Sequence, residues 1–156
     1  MASPNSKSKI LSPNALKKVL SRKRNVVFTN GCFDLLHAGH VTYLEKAKSF
    51  GSTLVIAVNS DESVQLLKGP TRPINPLADR MRVLAALECV DYVTWFKEET
   101  PRELIIKLKP NLLVKGGDYK PSEVAGYNEI KAWGGRTRIV KLLPGRSTTS
   151  ILSKSR

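Results

Sequence analysis

Residues 25–40 read Asn25-Val-Val-Phe-Thr29-Asn-Gly-Cys-Phe-Asp-Leu-Leu-His37-Ala-Gly-His40. The opening, residues 25–29, is a short apolar run of the kind that forms a strand buried on both faces. The stretch from Asn30 to His40 is polar and glycine-containing. Beyond it Val41, Leu44 and Ala47 recur at helical spacing, up to a stop near Gly51. A buried strand, a polar loop and a helix in that order make the first unit of an α/β sheet.

The same alternation runs outward through the chain. Ser12 and Pro13 read as an N-cap and first helical residue, before Leu16, Val19 and Leu20. Residues 53–58, 92–96, 112–114 and 137–143 read as four further strands. Helices are expected from Pro76 (Met81, Leu84, Ala85, Leu87), after Thr100-Pro101 (Leu104, Ile105, Leu108), over residues 122–133, and over residues 147–153. Residues 59–75, with Gly69, Pro70 and Pro73, read as loop. The expected fold is therefore α/β: one Rossmann-like domain with about five parallel strands and helices on both faces, joined by right-handed crossovers. It should occupy residues 12–156, behind a disordered basic tail at residues 1–11. In such sheets ligands bind outside the carboxyl ends of the strands. Trp95 and Trp133 read as core residues rather than stacking platforms.

With 156 residues the chain has room for one domain and a real core. It has no apolar run of membrane-spanning length and no secretory leader pattern. Cys32 and Cys89 make no disulfide framework. These features predict a reduced, cytoplasmic protein with no membrane partner. The net charge of +13 invites a nucleic-acid reading. Its location argues otherwise. Residues 1–24 hold seven basic groups and residues 136–156 hold six, with no acid in either stretch, while residues 25–135 carry 13 of each sign. The termini also lack the interleaved aromatics of a single-strand binder. A nucleic-acid-binding module is the reading of another class that this distribution disfavours. Salt-dependent DNA binding would revive it.

Chemistry concentrates in two loops. In the first, His37 and His40 lie three apart at a helix start and project from one face. Gly31 and Gly39 permit close backbone approach. The helix N-terminus adds free N–H groups and a positive dipole end. This set suits phosphate, and phosphoryl-type transfer needs in-line positioning and charge stabilisation more than covalent chemistry. Zinc would require a third ligand at metal spacing, which is missing. Cys32 reads as a small loop residue rather than a nucleophile, with a thiol pKa lowered by the neighbouring amides. Asp34 reads either as a turn residue or as an organiser of metal-bound phosphates. In the last loop Pro144-Gly-Arg-Ser-Thr-Thr-Ser-Ile151, Ser147 or Thr148 caps a short helix. The run of hydroxyl donors beside Arg146 exceeds what a cap needs and suggests a second phosphate site. Walker A and GxGxxG patterns are absent.

TNGCFDLLHAGH (29–40) with PGRSTTSI (144–151) resembles the HxGH nucleotidyltransferase superfamily, the cytidylyltransferase-like group related to class I aminoacyl-tRNA synthetases. Adding VNSDESV (58–64), LKGPTRPI (67–74), LADRMRVLAALECVDYV (77–93) and LLVKGGDY (112–119), the set resembles the adenylyltransferase domain of the ADP-heptose synthases. The likeness runs from about residue 25 to 152. In the bifunctional form a sugar-kinase domain precedes this one, so the expectation here is a stand-alone transferase.

The resemblance implies transfer of AMP from ATP to D-glycero-β-D-manno-heptose 1-phosphate, giving ADP-heptose and pyrophosphate for lipopolysaccharide or surface-glycan precursors. Mg²⁺ would be carried on the ATP phosphates, with no protein-only metal site. It implies that His37 and His40 bind the triphosphate and steady the transition state, with Thr29, Gly31, Cys32, Phe33 and Asp34 lining the pocket. Arg146, Ser147, Thr148 and Thr149 would hold the leaving phosphates. Gly116, Gly117, Asp118 and Tyr119 would lie near nucleoside and acceptor. Asn59, Asp61, Lys68 and Arg72 would bind the acceptor, and two cations on one loop suit a monophosphate. Arg80 is left open between a helix-face salt bridge and a phosphate contact. The resemblance also suggests a homodimer. Glycerol-3-phosphate cytidylyltransferases carry RTxGISTT at the last loop. Here the Arg-Thr pair is missing and Arg146 replaces the Ile, which disfavours the alternative of a cytidylyltransferase for a small phosphate.

Overall fold

Each of the expected apolar runs becomes a strand in the computed structural model, which describes residues 5–155. The strands are β1 (Val26–Gly31), β2 (Thr53–Asn59), β3 (Tyr92–Phe96), β4 (Leu112–Gly116) and β5 (Arg136–Val140). All pair in parallel in the order β3-β2-β1-β4-β5. Register sets Thr29 opposite Ile56 and Phe28 opposite Leu113. The chain winds outward from β1 in one direction through β2 and β3. It then crosses back to start β4 on the other side of β1. That reversal opens a crevice at the carboxyl ends of β1 and β4, the switch point where Rossmann-like sheets bind ligands.

Alternation along the strands feeds two cores. On one face Val27, Leu54, Ile56 and Val58 pack with Tyr43, Leu44 and Ala47 of α2 (Ala38–Lys48) and Met81 and Leu84 of α4 (Leu77–Ala85). On the other, Val26, Phe28, Val55 and Ala57 pack with Leu16 and Leu20 of α1 (Pro13–Leu20), Leu104, Ile105 and Leu108 of α5 (Arg102–Leu108), and Ile130 of α6 (Tyr127–Lys131). β2, an interior strand covered on both faces, is buried along its whole length. Truncating a side chain there, such as Ile56→Ala, should cost about 2–5 kcal/mol. Both tryptophans pack against these cores, and the Trp133 indole N–H donates to the Pro110 carbonyl at 2.8 Å.

Three stretches differ from expectation. Residues 59–75 are not all loop, because they contain α3 (Asp61–Lys68). Ser60 caps it by accepting from the Ser63 amide, and Asp61 and Glu62 favour its positive end. It buries only Ser63 and Val64, so an apolar stripe never shows in the sequence. The single helix expected over residues 122–133 is a 3-10 turn (Pro121–Glu123) followed by α6. Gly126, at φ +92°, separates the two. The N-terminal stretch expected to be disordered is structured from residue 5. Ser6–Lys9 forms a 3-10 turn, and the Leu11 amide donates to the Val93 carbonyl at 3.0 Å beside the edge strand β3. The rest of that expected tail, residues 1–4, lies outside the described residues. No helix among the described residues is long and apolar enough to cross a membrane.

Candidate active site

β1 delivers the first loop to the crevice, and α2 begins where the loop ends. His37 is the N-cap of α2, and its Nδ1 accepts from the Gly39 amide at 3.1 Å. That bond assigns the imidazole proton to Nε2, which leaves a donor free. The His40 ring stacks on His37 with centroids 3.9 Å apart and leans on Phe33 at 5.4 Å. Burial, then the neighbours His37 and Lys68, push His40 down to about 4. Burial and Arg146 also lower His37. Both rings are therefore neutral near pH 7 and act as hydrogen-bonding groups. The His40 Nδ1 is buried with no partner.

Two features of the loop are tight. Phe33 sits at φ +46°, unusual for a residue with a side chain, with its ring close over Gly31. A Cβ on Gly39 would stand 2.9 Å from the His37 imidazole and 3.1 Å from the Arg146 Cβ. Only glycine there lets the last loop close onto the first. The Thr148 hydroxyl completes that contact by donating to the Leu35 carbonyl at 3.2 Å. Ser147 caps α7 (Thr148–Lys154), accepting from the Ser150 amide at 3.0 Å. The sequence's two phosphate loops thus meet over the α2 N-terminus, with Arg146 beside His37.

Beneath the loops lies an ionic network that sequence reasoning did not assemble. Asp34 accepts from the Arg72 Nε at 2.7 Å and from the amides of Ile74 and Asn75 at 2.9 Å. Burial alone would raise Asp34. The two amides and the Arg72 guanidinium more than offset it and hold the carboxyl below its ordinary range. Arg80, 2% exposed, donates to the carbonyls of Cys32 (2.7 Å) and Asn75 (2.9 Å) and to Asp61 (2.7 Å). The choice left open for Arg80 resolves to a buried tie among the first loop, the α3 start and the α4 entry. Asp34 is likewise a strut rather than an open phosphate organiser.

A crevice of about 590 Å³ is lined by Gly31, Cys32, Phe33, Asp34, His40, Asn59, Lys68, Gly116, Tyr119 and Thr148 among the expected residues. Others stand apart from it. Thr29 is buried below, sharing a 2.6 Å bond with the Tyr43 hydroxyl, which donates on to the Val114 carbonyl. Burial raises Tyr43 to about 12, so it remains a phenol. Arg72 and Asp61 are each engaged in an ion pair, while the Arg72 Nη2 is buried with no partner. Asn59 donates to the Ser63 hydroxyl at 2.9 Å. Gly117, at φ +129°, turns the chain toward Tyr119, and Asp118 is exposed outside the lining. His37, Arg146, Ser147 and Thr149 lie at or beside the α2 and α7 starts, outside the crevice lining. The Cys32 thiol is not lowered as expected. Burial pushes it up against the pull of Lys68, Arg80, Lys115 and Arg72. Lys115, Asn30, Glu99 and Glu123 also line the crevice and were not singled out. Lys115 had a signal, since it ends an apolar strand where ligands bind.

The comparisons agree with this geometry. Residues 28–151 match the family described as Cytidylyltransferase-like. The chain is 52% identical over 142 residues to a bifunctional protein HldE of Hahella chejuensis, covering 91% of this chain and 30% of that protein. It is 55% identical over 134 residues to a bifunctional protein HldE of Geobacter metallireducens, covering 86% and 27%. It thus spans less than a third of the length of these relatives. A crystal structure of a lipopolysaccharide core biosynthesis protein from Thermoplasma volcanium superposes with TM-score 0.62 at 28% identity, covering 76% of this chain and 95% of that one. A pantoate-beta-alanine ligase from Francisella tularensis, 14% identical with TM-score 0.59 over 90% of this chain and 68% of that one, shares the fold. With its HxGH pair, its Rossmann-like sheet and a match that covers most of its length, the chain belongs to the cytidylyltransferase-like family of nucleotidyltransferases.

Proposed function

We propose that this domain transfers AMP from ATP to D-glycero-β-D-manno-heptose 1-phosphate, forming ADP-heptose for lipopolysaccharide or surface-glycan precursors and releasing pyrophosphate. One observation carries the reading. Two phosphate-suited loops, one bearing stacked neutral histidines and the other Arg146, meet at the switch point of the sheet, and Lys68 lines the crevice they border. The bifunctional relatives and the lipopolysaccharide protein direct the acceptor toward a sugar phosphate.

In this mechanism an acceptor phosphate oxygen attacks the α-phosphorus in line. The bond to the bridging oxygen breaks, and its electron pair leaves with pyrophosphate. The attacking oxygen is already anionic, so no base is required. His37 donates from Nε2, and His40 stands stacked behind it. Arg146 and the hydroxyls of Ser147 and Thr149 hold the β- and γ-phosphates, and Thr148 joins them by turning its hydroxyl away from the Leu35 carbonyl. Lys68, together with Tyr119 and Asn59 across the crevice, meets the acceptor. Mg²⁺, carried on the ATP phosphates, would screen their charge. The carboxylate of the first loop, Asp34, is committed to Arg72, Ile74 and Asn75, so it would not be the group that holds the ion. A cytoplasmic site supplies ATP.

The test is a pyrophosphate-release screen of ATP and CTP against sugar phosphates and glycerol 3-phosphate. ATP with the heptose 1-phosphate should give the highest kcat/KM. Preference for CTP with glycerol 3-phosphate would overturn the reading. Lys68→Ala should raise the acceptor KM more than the ATP KM, and unchanged values for both would remove Lys68 from the acceptor site.

A further inference from the structure

The crevice contains a cation that the proposed mechanism leaves without a task. Lys115 lies on β4 at the switch point, between the first loop and the glycines Gly116 and Gly117. Its side chain is half-buried and lines the crevice. The two arginines packed nearby each meet a carboxylate, Arg72 with Asp34 and Arg80 with Asp61. Lys115 makes no such pair among the described residues. Its ammonium, with three donors, has one long bond at 3.3 Å to the Asn30 carbonyl. Desolvation accordingly weakens its hold on the proton. A half-buried ammonium with so little compensation is costly to maintain. An anionic ligand would supply the missing partner.

The electrostatic neighbours place that ligand. Arg146 packs against Gly39 beside the His37 ring, and His37 stacks on His40. His40, Lys68 and Lys115 line one crevice. Lys115 therefore belongs to the crevice itself, whereas Arg146 stands outside its lining. A phosphate bonded both to the leaving pyrophosphate and to the incoming acceptor must lie between Arg146 and the two crevice lysines. The α-phosphoryl group is that phosphate.

Resting on the adenylyl-transfer reading, we propose that Lys115 is a catalytic residue that leaves the Asn30 carbonyl to donate to the non-bridging oxygens of the α-phosphoryl group. The step balances without a proton. The acceptor-oxygen-to-phosphorus bond forms and the bridging bond breaks. Lys115 stays protonated and follows the charge on the equatorial oxygens, where a fixed cation lowers the barrier most.

Lys115→Met keeps the length of the side chain and removes the charge. Turnover should fall about 10²–10³-fold, the cost of losing one transition-state donor, and Lys115→Arg should recover part of it. The thermal midpoint of unliganded Lys115→Met should equal or exceed that of the wild type, because an uncompensated charge is gone. Calorimetry gives a readout independent of the acceptor. Affinity for the α,β-methylene analogue of ATP should drop about tenfold, whereas affinity for pyrophosphate, which fills only the leaving-group end, should not change. Equal losses for both ligands would reduce Lys115 to diffuse charge and overturn the proposal. Unchanged affinity for both with unchanged turnover would do the same. If the wild type turned over no sugar phosphate, the adenylyl-transfer reading would fail, while the analogue-versus-pyrophosphate contrast would still decide where Lys115 acts.

Discussion

The two loops expected to bind phosphate both lead with glycine and polar residues into a helix start, and they differ in how they are held. The first, residues 30–40, is built into the fold. Phe33 and Asp34 are buried, Gly39 is packed under Arg146, and Arg80 grips the Cys32 carbonyl from below. The second, residues 144–154, rests on the surface. α7 buries no residue, and the loop's recorded side-chain bond to the rest of the fold is that from Thr148 to the Leu35 carbonyl. A helix of seven residues with no buried face draws little stability from packing. The first loop can therefore offer preorganised donors, while the second depends on its ligand to become equally ordered. Charge stabilisation at the α-phosphorus is best supplied by a rigid loop. Holding a product that must leave suits a loosely held one.

The strongest way to break this comparison is to cut the tie beneath the first loop. Arg80→Ala should cost about 3 kcal/mol or more, because three acceptors lose a charged donor in a buried setting. Urea denaturation measures it. If the loss were under about 1 kcal/mol, the first loop would be no better anchored than the second. Turnover should fall along with stability, because the Cys32 carbonyl and the α3 start share that guanidinium.

Next in size are the histidines. His37→Ala or His40→Ala should lower turnover at least about 10²-fold, equivalent to about 2.7 kcal/mol of transition-state stabilisation. Steady-state pyrophosphate release reads this directly. Wild-type turnover in both variants would remove the first loop from the chemistry. Thr149→Ala in the second loop should act mainly on the ATP KM, with a smaller change in kcat.

What could be read from the sequence follows the same division. Strands buried on both faces announce themselves as apolar runs, so β1 to β4 were legible. The expected fifth strand ran to residue 143, yet pairing ends at Val140, because the leucines that follow are exposed rather than buried in a sheet. α3 was hidden because its cap and acids are polar and its buried face is two residues wide. Loop chemistry written within a dozen residues, HxGH and STT, was legible for the same local reason. The network was not. Arg72 and Asp34 stand 38 positions apart, and Arg80 reads equally as a helix-face salt bridge or a phosphate contact. Pairing over such distances is decided by the topology that packs α4 on β2 and β3 and brings Arg72 and Arg80 to the loop after β1. The same topology pairs Asp34 with Arg72 and Asp61 with Arg80.

A smaller effect tests the looseness of the second loop. Ser147→Ala removes the cap of α7 and should cost that helix about 1 kcal/mol. Because α7 unfolds locally, the global thermal midpoint should hardly move. Hydrogen exchange over residues 148–154 should quicken, and saturating ATP analogue should restore protection. A full 1 kcal/mol loss in global stability would show that the second loop folds as one unit with the first.

The last effect vanishes at neutral pH and separates the loops by titration. His40 sits at about 4 in the folded protein and near 6.5 when unfolded. Between those values the unfolded chain binds a proton that the native chain refuses. Stability therefore falls as pH drops from about 6.5 toward 4, and the contribution is complete above 6.5. His37, also lowered, adds to the same slope. His40→Asn should flatten the dependence of the thermal midpoint on pH between 6.5 and 5 and leave it unchanged at pH 7.5. Pyrophosphate should flatten it in the wild type as well, because a bound anion beside the imidazoles favours their protonated forms and cancels part of the burial effect. Arg146→Gln should weaken that pyrophosphate effect while leaving most of the unliganded slope, since burial is the larger cause of the shift at both rings. If Arg146→Gln instead abolished the unliganded slope, the second loop would be packed on the histidines as firmly as the first loop is packed on Arg80.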